Sequence, residues 1–308
     1  MREFEQALKR ARTTDKTPSG LHNDPNAQEL LEPHTTPKIE GVGTGAVDSL
    51  QDLKAHEDFS VSPLTSLTSE PEETSFGQNE LPILQTNIEY FQDNFGASTS
   101  DARNVNGAFR ILRTQVLNAM QDRGARILGI TSHAPGAGKT ITSIHLALAC
   151  ARRAEQRVVL ADFDFRRPSV AQYLDASGFR ASVGYFQGNG NIMDYVSTNE
   201  TGNLQFLLTD RSSDMSAEFI ASSRMDEALD TLSRGMEDTI IITDLPPLSG
   251  CDDTLAMLPK LDGLILVVAA GETNFKDLER TVGMLPKDKI VATVLNKMDG
   301  PAVQYDYY

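Results

Sequence analysis

Residues 126–140 read RILGITSHAPGAGKT. A short apolar run leads into a turn with two glycines. Lys139 and Thr140 then open KTITSIHLALACARRA, which has the spacing of a helix. A strand, a glycine turn carrying Lys-Thr, and a helix together build a phosphate cradle. Backbone N–H groups and the helix N-terminus face the anion, the Lys139 ammonium reaches the outer phosphate oxygens, and the Thr140 hydroxyl is placed to hold Mg2+. The expected nucleotide contacts are Gly136, Ala137, Gly138, Lys139, Thr140 and Ile141, with ATP and Mg2+ as the implied cofactors. The usual spacing of this P-loop places one more glycine where His133 stands, and His133 is read as a loop residue.

Upstream, SDARNVNGAFRILRTQVLNAMQDRG (100–124) is predicted to form a helix capped at Ser100 or Asp101. Val105, Phe109, Leu112, Val116 and Met120 recur there at three- and four-residue spacing, and Gly124 closes it. Downstream, the apolar runs RVVLADF (157–163), TIIITD (239–244), GLILVVAA (263–270) and KIVATVLN (289–296) alternate with helical segments at 225–236, 251–261 and 274–285. One further strand, LQFLLT (204–209), stands in a polar region that runs to about residue 215. Short continuous apolar strands alternating with helices predict an α/β fold, a mostly parallel sheet with helices on both faces. Ligands of such sheets bind at the carboxyl ends of the strands, so the chemistry should follow GITS, LADF, IITD and VLN.

After the second of these ends comes DFDFRRP (162–168). Alternation sends Asp162 and Asp164 one way and Phe163 and Phe165 the other. Two carboxylates beside a phosphate loop repel one another unless a cation lies between them. Mg2+ coordination and proton abstraction from a hydroxyl both suit such a pair. Asp162 and Asp164 are therefore expected in catalysis with Lys139. Asp244, closing IIITD, is expected on the metal together with Thr140, Asp162 and Asp164. Asn296, closing VLN, can offer its amide to a base edge.

Charge is uneven along the chain. Its 308 residues carry 28 Lys and Arg against 43 Asp and Glu, a net charge of −15. Residues 1–100 hold seven basic against 17 acidic side chains and seven of the 14 prolines. Such sequence lacks the apolar surface to offset its ordering entropy, so most of residues 13–80 is expected to be disordered. EFEQALKRA (3–11) and LPILQTNIEYFQDNF (81–95) read as short segments that dock loosely or fray. One domain is expected over 101–300, with 301–308 as a tail. The acidic balance argues against nucleic acid as a partner. No run approaches the ~18 apolar residues of a membrane span, and no apolar leader opens the chain. The expected location is the cytoplasm, with any attachment to the inner membrane made through a partner. Cys150 and Cys251 have no metal-ligand spacing and read as thiols of a reducing compartment.

The chain closes with QYDYY, which puts Tyr305, Tyr307 and Tyr308 in the last four residues. APGAGKT, VVLADFDFRRP, IIITDLPP and this tyrosine cluster stand in that order. GAFRILRTQV precedes the first strand and SAEFIASSRMDEAL precedes Asp244. The sequence resembles the bacterial tyrosine kinase (BY-kinase) family, and in particular its stand-alone cytoplasmic members of exopolysaccharide synthesis, from about residue 104 to the end. The resemblance implies an ATP-dependent autokinase regulating exopolysaccharide or capsule synthesis. It implies Asp162 as base or metal ligand, Asp164 and Asp244 on the metal, and Tyr305, Tyr307 and Tyr308 as phosphoacceptors. It also implies a membrane-embedded polysaccharide co-polymerase, a chain-length regulator, as the activating partner. Three features depart from the family pattern. Gly107 stands where the oligomerisation helix, here with Arg110 and Arg113, carries a glutamate. Leu245 follows Asp244 where Ser or Thr is usual, and the tail has three tyrosines where many members have more. Self-association through that helix is expected to be weak. The related MinD/ParA ATPases share the sheet but carry a lysine where this chain has Ala134. An ATPase switch of that kind, or a degenerate kinase acting as a nucleotide-dependent assembly adaptor, is the alternative.

Overall fold

Among the described residues seven strands form one sheet. They are β1 (Ile127–Ser132), β2 (Arg157–Asp162), β3 (Val196–Thr198), β4 (Leu204–Leu207), β5 (Thr239–Asp244), β6 (Gly263–Ala269) and β7 (Ile290–Asn296), in the order β3-β4-β2-β5-β1-β6-β7. All neighbours are parallel except β3 and β4. The structure is a computed structural model and describes residues 81–95, 102–153, 156–234 and 239–298. The expected disorder of residues 13–80, the 3–11 segment, the cap at Ser100 or Asp101 and the tyrosines at 305, 307 and 308 all lie outside these residues.

Successive strand residues enter opposite cores. Leu128 and Ile130 of β1, Val158 and Leu160 of β2, Ile240 and Ile242 of β5, and Ile265 and Val267 of β6 share one core. Val159, Ala161, Ile241, Leu264, Leu266 and Val268 share the other. Burial on both faces is the physical reason these strands read as continuous apolar runs rather than as alternating ones. The first core is covered by α1 (Ile88–Phe95), α2 (Ala102–Gln121), α3 (Lys139–Ala151) and α4 (Val170–Tyr173). The second is covered by α5 (Val183–Phe186), α6 (Ser216–Ala221), α7 (Ser223–Arg234), α8 (Asp253–Met257) and α9 (Phe275–Met284). No helix among the described residues is long and apolar enough to cross a membrane.

Two elements depart from the sequence reading. Between residues 164 and 215 one strand is expected and two are present. Val196–Thr198 pairs antiparallel with β4, Val196 facing Leu207 and Thr198 facing Gln205. Three residues are too few to display an alternation. The larger correction concerns residues 81–95, which pack firmly. Leu84 and Phe91 are buried. The Leu84 N–H donates to Thr198 O at 2.8 Å, Thr198 N–H to Pro82 O at 2.9 Å, Ser177 N–H to Gln85 O at 3.0 Å and Asn87 N–H to Leu174 O at 2.9 Å. The Phe91 ring lies against His145 of α3, with centroids 4.7 Å apart. An isolated eight-residue helix is unstable in water. Here β3, α3 and the segment around α4 supply its partners, and none of these is visible in the local sequence.

Candidate nucleotide-binding site

β1 runs through the middle of the sheet, between β5 and β6. The loop after it turns through Gly136 (φ 80°) and Gly138 (φ 94°), left-handed backbone that glycine adopts without a Cβ penalty. Gly138 is also constrained by a neighbour, since a Cβ there would fall 2.1 Å from Asn296 Nδ2. That amide donates to Ala137 O at 2.9 Å. Asn296 therefore reaches the loop from the end of β7, and one of its two N–H groups holds the loop itself. α3 begins at Lys139, and the N–H groups of its first turn have no carbonyl partner inside the helix, which is what makes such a terminus an anion cradle.

Under the loop lies a buried acidic cluster. The register of β2 on β5 sets Asp162 opposite Asp244, and both are fully buried. Lys139 turns inward, with its Nζ 2.8 Å from Asp164 Oδ2 and 3.2 Å from Asp244 Oδ2. Thr140 Oγ1 donates to Asp244 Oδ2 at 2.6 Å, and Ser143 Oγ donates to Asp244 Oδ1 at 3.1 Å. Burial works to lower the Lys139 pKa, but the charges of Asp244 and Asp164 outweigh it and hold the ammonium above its ordinary value. Burial raises Asp244 despite the opposing pull of Lys139 and Thr140. Burial and the neighbouring Asp244 charge likewise raise Asp162 well above the usual carboxylate range.

The two aspartates of DFDF are not equivalent. Asp162 Oδ2 accepts from the N–H groups of Ser169 and Val170, both at 3.0 Å, and so fastens the start of α4. Its Oδ1 accepts only a longer contact, 3.2 Å, from the Asp164 N–H. Asp164 lines a cleft of about 590 Å³ that opens over the loop, a volume in the range of small-molecule sites. Lys139, Thr140, Arg166, Tyr173, Pro246 and Asn296 also face this cleft, and the buried Asp244 and Asp162 meet its floor through Lys139, Thr140 and Ser169. Among the described residues no group of three or more His, Cys, Asp or Glu side chains is arranged to hold a metal ion by itself. Mg2+ characteristically takes one or two carboxylates together with substrate phosphates. The hard-oxygen donors Thr140, Asp164 and Asp244, set around a single ammonium, fit that mode.

Several contacts have little trace in the sequence. His133 is more than a loop residue, since its Nδ1 lies 2.6 Å from Thr281 Oγ1 and ties the phosphate loop to α9. Arg166 grips Asp253 with Nε to Oδ2 at 2.6 Å and Nη2 to Oδ1 at 3.0 Å. Ser216 Oγ donates to the same carboxylate at 2.7 Å. Burial alone would raise Asp253, but the Arg166 and Ser216 hydrogen bonds outweigh it and hold its pKa below the ordinary value. The doubled arginine after DFDF was the one available signal. Of the two arginines expected at an oligomer interface, Arg113 donates inward, Nη1 to Ala149 O at 3.2 Å near the end of α3.

Residues 128–307, more than half of the chain, match the model of the CobQ/CobB/MinD/ParA nucleotide binding domain. EpsB of Ralstonia solanacearum, named for a tyrosine-protein kinase, is 30% identical over 203 residues, which are 65% of this chain and 26% of that protein. The tyrosine-protein kinase YwqD of Bacillus subtilis is 27% identical over 205 residues, 65% of this chain and 84% of that one. The crystal structure of the VpsO kinase domain superposes with a TM-score of 0.56 at 26% identity, covering 66% of this chain and all of that domain. This chain thus spans about a quarter of EpsB and most of the shorter relative YwqD. With the glycine loop, the buried acids and the sheet order in place, the chain belongs to the CobQ/CobB/MinD/ParA nucleotide-binding domain family.

Proposed function

We propose that this chain is an ATP-dependent protein-tyrosine kinase whose acceptors include its own Tyr305, Tyr307 and Tyr308. The observation that carries this reading is the position of Asp162 directly beside Asp244 and the Lys139 head of the phosphate loop. A nucleotide switch that uses water needs a cradle and a metal acid. A second carboxylate beside that acid adds a group that can take a phenol's proton, because a cation bound between the two would favour its ionised form. The names of EpsB and YwqD support the same reading.

In this mechanism Lys139 and the first turn of α3 hold the outer phosphates of ATP. Thr140, Asp164 and Asp244 hold Mg2+, which when bound neutralises phosphate charge. The phenol oxygen forms a bond to the γ-phosphorus as the bond to the β,γ-bridging oxygen breaks, and ADP leaves. The phenol proton passes to Asp162. Its Oδ2 is fixed by two backbone N–H groups, and its Oδ1 keeps lone-pair capacity for the proton. Twelve residues follow Asn296 and reach about 40 Å when extended, enough for a tail to enter a neighbouring copy's cleft. Each phosphate adds roughly −1.5 to −2 charges to an acidic chain, and repulsion then releases the tail. The chain acts in exopolysaccharide synthesis at the cytoplasmic face of the membrane, with a polysaccharide co-polymerase as activator.

The family also contains ATPase switches, and the two readings separate cleanly. Given MgATP, wild-type protein should acquire phosphotyrosine by immunoblot, with mass spectrometry placing it on the tail. Lys139→Ala should lose both labelling and ATP turnover. ATP hydrolysis by the wild type without phosphotyrosine rejects the kinase reading in favour of the switch.

A further inference from the structure

On a chain of net charge −15, the cleft wall is basic. Its charged side chains are Lys139, Arg166, Arg167 and Lys297 against Asp164 alone. Two of these cations are committed. Lys139 is held by Asp164 and Asp244, and Lys297 by both oxygens of Glu272 at 2.8 and 2.9 Å. Arg166 and Arg167 differ. Asp253 takes two N–H groups of Arg166 side-on and leaves three of the five guanidinium donors unspent. Asp253 is fully buried and its second partner is Ser216, so the fork is anchored from below while 43% of the arginine side chain remains exposed. A buried carboxylate that fixes an exposed guanidinium sets a direction as well as a charge. Arg167 donates its backbone N–H to Asp164 Oδ1 at 3.0 Å. Its exposed side chain has no hydrogen bond or ion pair among the described residues.

The nucleotide phosphates already have Lys139 and the α3 terminus. The two arginines stand elsewhere, on the wall that follows β2, next to Asp164 and four and five residues from Asp162. In-line transfer brings the acceptor hydroxyl to the carboxylates opposite the leaving group, so an acceptor comes along this wall. We propose that Arg166 and Arg167 form the acceptor subsite, selecting tyrosines that have a neighbouring carboxylate, with Asp253 and Ser216 as positioning residues for Arg166. The inference rests on the kinase reading above. The chain's own QYDYY has the required chemistry, since Asp306 lies between acceptor tyrosines.

The test supplies full-length protein with MgATP and one of two amidated peptides spanning residues 301–308, native or carrying Asp306→Asn. Steady-state labelling should give the native peptide a KM about fivefold lower, the scale of one charge-assisted contact at a partly exposed site. Arg167→Gln and Arg166→Gln should each bring that ratio toward one. Asp253→Asn should raise the native peptide's KM more than it lowers kcat. Equal KM values for the two peptides in the wild type, or a ratio that survives both arginine changes, would overturn the subsite. So would arginine variants that raise the KM for ATP while keeping the peptide ratio, because the pair would then grip the nucleotide. ATP turnover with neither peptide nor tail labelled would overturn the kinase reading itself and the subsite with it.

Discussion

Acidification should weaken the packing of residues 81–95 through His145. This side chain is 7% exposed, its ring lies 4.7 Å from both Phe91 and Phe109, and its Nε2 is 3.2 Å from Phe95 O. Burial lowers its pKa from the ordinary 6.5, the Phe95 carbonyl opposes this, and the Arg152 charge adds to the lowering. Among the described residues, the charged side chains that line the pocket at the ring, Arg110 and Arg152, are both cations and neither can receive an imidazolium. With the folded pKa lowered, the unfolded chain takes the proton first as pH falls below 6.5. Stability contributed by the neutral ring is then lost toward acid, by up to about 1.4 kcal/mol per pH unit until the folded value is reached. Asp162 pulls the other way. Its folded pKa is raised, so over the same range the folded chain holds the extra proton and acid favours it. The informative quantity is therefore the difference between wild type and His145→Gln, in which shared titrations cancel. Urea unfolding followed by circular dichroism at pH 7 and 5.5 should find that the wild type loses about 1 kcal/mol more than the variant. Parallel stability curves for the two proteins would mean that the imidazole is solvated or already charged in the fold, and the packing described for α1 would be wrong.

Phe91→Ala should destabilise by about 3–4 kcal/mol, because Phe91 is fully buried and packs on Phe95 and His145; for a domain of this size the melting temperature drops by roughly 10 °C. A drop of under about 2 °C would show that this helix contributes no core. Gly107→Ala should raise stability by about 0.5–1 kcal/mol, since Gly107 lies within α2 and an added Cβ meets nothing within 4 Å. A lower melting temperature would contradict the helical assignment there. Gly138→Ala combines a φ of 94° with a 2.1 Å clash against Asn296, and calorimetric titration should find nucleotide affinity reduced at least tenfold, on the order of 1.4 kcal/mol. Wild-type affinity in that variant would remove the loop from the binding site.

The sheet was legible in the sequence because its strands are covered on both faces. TIIITD is β5 residue for residue, and GLILVVAA exceeds β6 only by its last alanine. The glycine loop, Asp162, Asp244 and Asn296 stand at strand ends for the same reason, since a parallel sheet opens its loops at one edge. Strand alternation also held beyond β2, where Phe163 and Phe165 both enter the second core. It could not separate Asp162 from Asp164. That difference is made by α4, a helix of four residues whose N-terminal N–H groups capture Asp162, and four residues carry no period to detect.

Leu245 illustrates a second kind of silence. It departs from the Ser or Thr usual after the acid, and it is fully buried. Its Cδ1 lies 2.8 Å from where a Cβ on Gly129 would stand, so the leucine fills the space that the glycine of β1 leaves open. Sequence gives both residue types and nothing of their adjacency, which follows from the pairing of β1 with β5. The Arg166–Asp253 fork spans 87 residues in the same way. An aspartate at the first position of α8 reads as an ordinary acid compensating a helix dipole. Only the fold turns that carboxylate under the cleft wall, where Arg166 and Ser216 together keep it charged and give the guanidinium a fixed direction. Residue type and local spacing thus picked out the glycine loop and the head of α3, whose form is set by local backbone geometry. The wall that carries Arg166 and Arg167 depends on side chains held by distant partners, and there the order of residues along the chain carries almost no information about which cation is anchored.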